Sequence, residues 1–539
     1  MTEPSRTAQL TSSTLIVMIA FTAAKAISFL QTFIIARSFG ISAEYDAFVA
    51  ANRLPEVIFN LIAGGAVAFA FIPVFAGLLA KDDRSTAWRT ASTVLNTIFG
   101  LTAVVSILAF ILSPWLVQNA IAPGFPPEVQ QQTADMMRIL LLSTLIFSIS
   151  GTVMGILQSF NRFLLPALAP ILFDVGILIG VIFLLPVLGI YGLAWGAVLG
   201  AAMHLAIQVP GLLRVGIRWS ASLDWRAPEF RRILILFVPR MLDLALVSVS
   251  SIVVTNLLSR LGEGATSAYD WGWRLMQIPE TLIGTAMGIV IFPTLASLSA
   301  LGDVSGKRAA FSGSLRFILI ATIPSAVLLI AAGLPILSLL EGGAFDASAT
   351  QLVYSALVWF SFGIVVHSIL EVVARSFYAD KDTLVPLLVA VGGAAVNIIV
   401  ALVFSGVLTG DVRPENVGAL ALANTLGVLF EVIALGIVLR KRWHGLDETH
   451  IGRVMVKAIA ASIVMGAVAF GVNLVLETVG LTGGVVVTVI RVGLIVAAAL
   501  VTFIGASYLL RIEEVKIFLS QSVSKIRDTI TRKPAQAAA

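Results

Sequence analysis

Two short stretches bring acid and base together in a chain that holds little of either. Ser42 to Asn60 reads SAEYDAFVAANRLPEVIFN and contains Glu44, Asp46, Arg53 and Glu56; some 220 residues later SAYDWGWRLMQIPETLIG repeats a Tyr-Asp, an Arg-Leu and a Pro-Glu pair. A charge at the centre of a bilayer costs on the order of 2.5–3.5 kcal/mol on insertion scales, so charges retained there face a partner or a water-filled cavity. Lys25, Arg53, Arg240 and Arg274 fall in or at the ends of apolar runs, as do Asp46, Asp174, Asp243, Asp270, Glu371 and Glu431. Lys25 has no opposite charge close to it in sequence and reads in two ways: as a cavity cation for an anionic headgroup, or as half of a pair with an acid on another helix. Asp270 and Arg274 stand four residues apart and could neutralise each other on one helical face. Asp46 and Arg53, one at each end of two turns, could do the same, and such pairing does not exclude ligand binding.

Other chemistry is poorly equipped. The chain has no cysteine, which excludes a disulfide framework, an iron–sulfur cluster, thiolate zinc and a cysteine nucleophile. His204 and His367 lack metal-ligand spacing and read as polar packing residues, and no Ser-His-Asp order, phosphate-binding loop, GxGxxG context or HExxH is present. The chain therefore reads as no enzyme and as needing no cofactor. Without a nucleotide-binding motif, work on a substrate would draw on an ion gradient or on the membrane potential, worth about 2.3 kcal/mol per charge per 100 mV.

The elements that must position these residues are membrane helices. With 58% hydrophobic and 12% charged residues and a mean hydropathy of +1.00, the chain is too apolar for a soluble core. Runs long enough to cross about 30 Å of hydrocarbon fall near 13–38, 47–79, 88–112, 134–158, 163–184, 190–212, 233–259, 268–299, 311–333, 350–374, 384–406, 417–439, 453–475 and 485–510. This predicts an all-α polytopic protein of about fourteen spans. The amino terminus lacks a basic n-region and a small-residue cleavage site, so the first run reads as a retained helix.

Lys and Arg collect in alternate loops, at Lys81, Arg84 and Arg89, at Arg162, from Arg214 to Arg232, at Lys307 and Arg308, and from Arg440 to Arg453, whereas NAIAPGFPPEVQQQ and LLEGGAFDASAT carry none. That asymmetry puts both termini in the cytoplasm. It also accounts for the net charge of +5 as an orientation signal, with no nucleic-acid partner implied. After the last span, Ile512, Val515, Phe518, Leu519, Val523 and Ile526 recur at helical spacing against Lys516, Lys525 and Arg527. They suit either an interfacial helix or a solvated tail.

The two charged stretches belong to a longer repeat. Arg37, Gly40, Tyr45, Asp46, Arg53 and Pro55 recur as Arg260, Gly262, Tyr269, Asp270, Arg274 and Pro279. AFIPVFAGLLA is echoed by IVIFPTLASLSA, and FNRFLLPALAP by YADKDTLVPLLVA, in the same order and at offsets of about 220 to 226 residues. An offset of six helices restores orientation, which predicts two six-helix lobes in parallel pseudo-repeat, plus two C-terminal helices. The expected divisions are 1–232, 233–440 and 441–510, followed by a basic tail at 511–539. Twin lobes with a central site between them are transporter architecture.

FGISAEYDAFVAANRLPE, IAPGF, LQSFNRFLLPALAP, WRLMQIPETLIGTAMGIVIFPTLA and FYADKDT together resemble the MurJ (MviN) family of the multidrug/oligosaccharidyl-lipid/polysaccharide superfamily, from about Ala24 to about Leu510. The resemblance implies a flippase for lipid II, an undecaprenyl-pyrophosphate-linked glycan, in the cytoplasmic membrane. It also implies alternating access through a basic cavity, with the last two helices grooved for the lipid tail. Lys25 and Gln31 match two family arginines, and only Lys25 keeps the charge; Asp46 and Arg274 match the family's aspartate and cavity arginine. Phe59 and Asn60 replace an Arg-Arg pair, and Gly64 replaces a glutamate. The expected substrate-binding set is thus Lys25, Gln31, Asp46, Arg53, Asn60 and Arg274, with a looser hold on pyrophosphate or a different lipid-linked glycan. For some members the resemblance also implies a coupling sodium, for which Asp243 and Asn397 are the nearest candidates by position, a proton being the other choice of ion. The alternative is another transporter of the superfamily, either a surface-polysaccharide lipid flippase or a cation-coupled drug exporter. A membrane enzyme on a lipid-linked substrate, or a scaffold, is the third class.

Overall fold

An apolar segment in lipid must satisfy its own backbone, and these segments do so as helices. A computed structural model describes residues 27, 28, 30–63, 65–481 and 483–515, without the side chains of 63, 65–69, 239, 240, 242, 243, 246 and 247. Fifteen helices carry the architecture among the described residues: α1 (Ala43–Ile58), α2 (Gly65–Ala80), α3 (Arg84–Leu116), α4 (Pro127–Ser159), α5 (Leu164–Ile179), α6 (Tyr191–Ala206), α7 (Pro228–Leu261), α8 (Ala265–Glu280), α9 (Ala286–Ala300), α10 (Val304–Leu337), α11 (Ala347–Ala379), α12 (Leu384–Phe404), α13 (Val417–Trp443), α14 (Glu448–Thr478) and α15 (Val485–Leu509). Every expected run from 47–79 onward is helical; the run at 13–38 lies mostly outside the described residues and is helical over 30–39. Among the described residues eleven helices are long and apolar enough to span a membrane, so the chain is a multi-pass, all-α membrane protein. The proposed tail helix lies outside the described residues beyond Val515.

The duplication returns element by element. Helices α1 and α8 each have 16 residues, α3 and α10 have 33 and 34, and α4 and α11 each have 33. Single π-helical turns follow α1 and α8 at equivalent places, Phe59–Ala63 and Thr281–Thr285, just after Pro55 and Pro279. Asp83 and Asp303 cap α3 and α10, each accepting the backbone N–H three residues on. That backbone bond holds both carboxyls below the usual carboxylate range.

Packing divides the chain into two units: Met1–Ser267 with Gly342–Asp346 and Gly406–Pro414, and Ala268–Glu341 with Ala347–Ser405 and Glu415–Ala539. In the first unit α4 packs against α1, α3 and α6, and α5 lies along α6. The α5–α6 seam is made by Gly176 and Gly180 facing Gly192, Gly196 and Gly200, the small residues that let helix backbones touch in a membrane. A Cβ at Gly176 would overlap the Gly200 backbone. Gly176→Ala is therefore expected to destabilise by about 1–3 kcal/mol, read as an earlier transition in SDS-titration unfolding. An unchanged transition would show that the seam relaxes freely. In the second unit α11 packs on α10 and α13, and α14 with α15 bury Met465, Ala469, Ile495 and Phe503 beside α10.

One repeated station is apolar in the first unit and ionic in the second. Phe75, Trp88 and Phe160 form an aromatic cluster with ring centroids 5.9–6.1 Å apart. At the place of Phe160 the second repeat has Asp380, which accepts from the buried Lys307 Nζ at 2.7 Å, and Lys307 lies 5.1 Å from the Trp443 ring centre. Burial alone would raise the Asp380 carboxyl, but hydrogen bonds from Lys307 and Ser299 outweigh it and hold it below the usual range. A carboxyl depressed in the fold stabilises above its unfolded pKa of about 3.9, and that contribution is lost as pH falls through the lower folded value. Stability is accordingly expected to be flat from neutrality to about pH 5 and to decline below about pH 4, with a shallower decline in Asp380→Asn. Identical acid profiles for the two proteins would count against this pair.

Candidate functional site

The first charged stretch turns out to be a tie. Asp46 is 1% exposed, and its carboxylate accepts from Gly264 N–H at 2.7 Å, Ser267 N–H at 2.6 Å and the Ser267 hydroxyl at 2.5 Å. These donors open α8, where the helix dipole favours a negative charge. The reverse tie runs from the loop before α8 to the start of α1, with Ala43 N–H donating to Glu263 at 3.1 Å. Asp46 thus takes up the donors at the start of α8, and Glu263 takes up one at the start of α1 beside the Ser42 cap. Tyr45, beside Asp46, is buried and stacked between Phe39 and Phe48. Arg53 pairs with Glu56 at 3.4 Å, while the Asp46 oxygens are taken up at the α8 turn.

The second stretch is arranged differently. Arg274 Nε donates to Asp270 at 2.6 Å, the pairing that the i,i+4 spacing suggests. Asp270 is buried, whereas the Arg274 side chain is 47% exposed on an apolar span. The carboxylate therefore holds the Nε edge of a guanidinium that is half-exposed. Six residues further on, Glu280 at the end of α8 accepts from the Thr281 and Thr285 hydroxyls of the π-helical turn at 3.3 and 3.2 Å. Arg375, paired with Glu371 on α11, lies within electrostatic reach of Glu280. Glu371, expected only as a charge in a span, has Arg375 as its partner. The signal available was the i,i+4 spacing of Glu371 and Arg375.

The remaining expected site residues are scattered. Gln31 is half-buried on the helix that precedes α1, and Asn60 is half-buried in the π-helical turn after α1. Lys25 and the Asp243 side chain lie outside the described residues. Asn397 is buried in the α12–α13 seam, where Gly427 brings α13 against its Cβ. No cluster of three or more His, Cys, Asp or Glu occurs among the described residues. His204 shares a buried network with Ser150 and Gln208, and His367 hydrogen-bonds Asn424 at 3.1 Å beside the Trp273 ring. Both histidines are polar packing residues.

Eleven apolar spans among the described residues, duplicated broken helices and charge held inside them make a polytopic membrane protein with the internal repeat of transporter folds. A structure titled as an inward-facing multidrug-resistance MATE transporter of the MOP superfamily shares the fold, with a TM-score of 0.66 at 15% identity over 80% of this chain and 99% of its own. The chain belongs to the lipid II flippase MurJ family, whose model matches residues 35–491. The lipid II flippase MurJ of Burkholderia cenocepacia is 29% identical over 443 residues, 80% of this chain and 84% of that one. A lipid II flippase MurJ structure in an inward closed conformation superposes with a TM-score of 0.75 at 21% identity, covering 92% of this chain and 99% of its own.

Proposed function

We propose that this protein carries lipid II across the cytoplasmic membrane by alternating access, with Arg274 and Lys25 engaging the pyrophosphate while the undecaprenyl tail stays in lipid. The observation that carries the reading is Arg274: a half-exposed guanidinium, oriented by a buried Asp270, in a chain whose residues 35–491 match the flippase family. A planar guanidinium suits pyrophosphate because it presents two N–H groups to two oxygens. Both termini lie in the cytoplasm, and the lobes divide as 1–232 and 233–440 with the extra helices at 441–510, a reading supported by the basic loops and by the repeat. Sodium near Asp243 and Asn397, or a proton, couples transport to the membrane gradient. The passenger leaves chemically unchanged, as expected of a transporter without an enzyme's equipment.

A different lipid-linked glycan is the second reading, favoured by Gln31, Phe59 and Asn60 where the family carries arginine. Expression in cells depleted of their own flippase separates the two. Growth with normal lipid II turnover supports the first reading. Lysis despite full membrane insertion, with transport of another polyprenyl-pyrophosphate glycan in vesicles, supports the second.

A further inference from the structure

Helix α3 carries a polar stripe that no membrane span needs. Arg89, Ser92, Thr93, Asn96 and Thr97 follow one another at helical spacing along one face. The residues beyond them, Ile98–Leu116, rise about 28 Å at 1.5 Å each, enough to cross the hydrocarbon. The stripe therefore stands at headgroup level, at the end of α3 where Lys81, Arg84 and Arg162 gather.

A strap of chain without helix or strand, residues 217–224, lies across this stripe. Asn96 donates to the Ser220 and Ser222 carbonyls at 2.9 Å each, Ser220 N–H donates to Ser92 at 3.1 Å, and Arg89 pairs with Asp224. The alternate residues leave most of their apolar surface bare. Trp219, Leu223 and Trp225 are 59%, 52% and 57% exposed, although both indoles have their N–H satisfied, by Asn96 at 3.0 Å and by Thr97 at 2.9 Å. Around them Arg214, Arg218, Arg226, Arg231 and Arg232 are all exposed, against Asp224 and Glu229. Indoles with their polar edge tied down and their rings bare suit the boundary between headgroups and acyl chains. Clustered arginines beside a bilayer suit anionic lipid.

We propose that the strap is a binding surface for the anionic phospholipids of its own leaflet, with Trp219, Leu223 and Trp225 immersed at the interface and the surrounding arginines on lipid phosphates. This assignment stands apart from the transported substrate and needs only the membrane reading of the chain. The absence of native cysteine makes the test direct. A nitroxide on Ala221→Cys of the full-length protein is placed in nanodiscs of phosphatidylcholine alone, or with a third of the lipid as phosphatidylglycerol, and its accessibility to oxygen and to a nickel chelate is compared. Immersion is expected with phosphatidylglycerol, and the immersed population should drop roughly fivefold for each of Arg218→Gln and Arg226→Gln. Arg218→Lys and Arg226→Lys should restore it, which separates lost charge from lost folding. A label equally exposed to water in both lipids overturns the proposal. So does one equally immersed in both and indifferent to the arginines.

Discussion

Asp46→Ala is expected to lower stability by about 3–5 kcal/mol, the largest loss for any single residue considered in this fold. The substitution leaves two backbone N–H groups and a hydroxyl at the start of α8 without the acceptor they share, in a site that is 1% exposed. Each orphaned buried donor costs about 1–3 kcal/mol, and relief from burying the carboxylate offsets part of the sum. Asp46→Asn keeps one oxygen acceptor and should fall between the two. SDS-titration unfolding of the detergent-solubilised protein measures the effect. A cycle with Ser267→Ala isolates the tie, because the double variant should lose less than the two single losses added together. Strict additivity, or an Asp46→Ala protein as stable as the parent, would remove Asp46 from the fold's supports.

Arg274→Ala should behave in the opposite manner. Its ion pair with Asp270 is short, and although the arginine side is 47% exposed the Asp270 side is buried, so the loss exceeds the roughly 0.3–0.5 kcal/mol of a fully exposed i,i+4 pair, on the order of 1–2 kcal/mol. Stability should therefore fall less than for Asp46→Ala. Transport, in contrast, should fall at least tenfold, about 1.4 kcal/mol or more of headgroup interaction, measured as lipid II protected from externally added reagent in proteoliposomes. Arg274→Lys retains the charge without the planar fork and should recover only part of the rate. Full transport by Arg274→Ala in a well-inserted protein would end the case for this residue. Together the two substitutions separate a charge that holds the fold from one that meets the passenger, although both come from the same repeated motif.

That divergence explains how far the sequence could be read. Helices are local objects, so apolar run length located each expected span from 47–79 onward, and Asp83 and Asp303 could cap their helices with donors three residues away. The Asp270–Arg274 pair was likewise within one turn of helix. The order of repeated motifs carried the family, because order survives where identity to relatives has fallen to 29%.

What spacing could not decide was which of two equivalent acids would serve which purpose. Asp46 reads as a partner for Arg53 until the loop at Gly264, 218 residues away, is folded against it. The strap over α3 was equally hidden: Ser92 and Asn96 find their partners about 125 residues downstream, at 128 and 124 positions' distance. By itself the sequence determined an all-α membrane protein, its duplication and the stations where charge would sit, since hydrophobic run length and motif order are properties of the chain read locally. Tertiary structure alone decided the partners of Asp46, because a carboxylate's partner depends on which distant backbone packing brings within 3 Å of it.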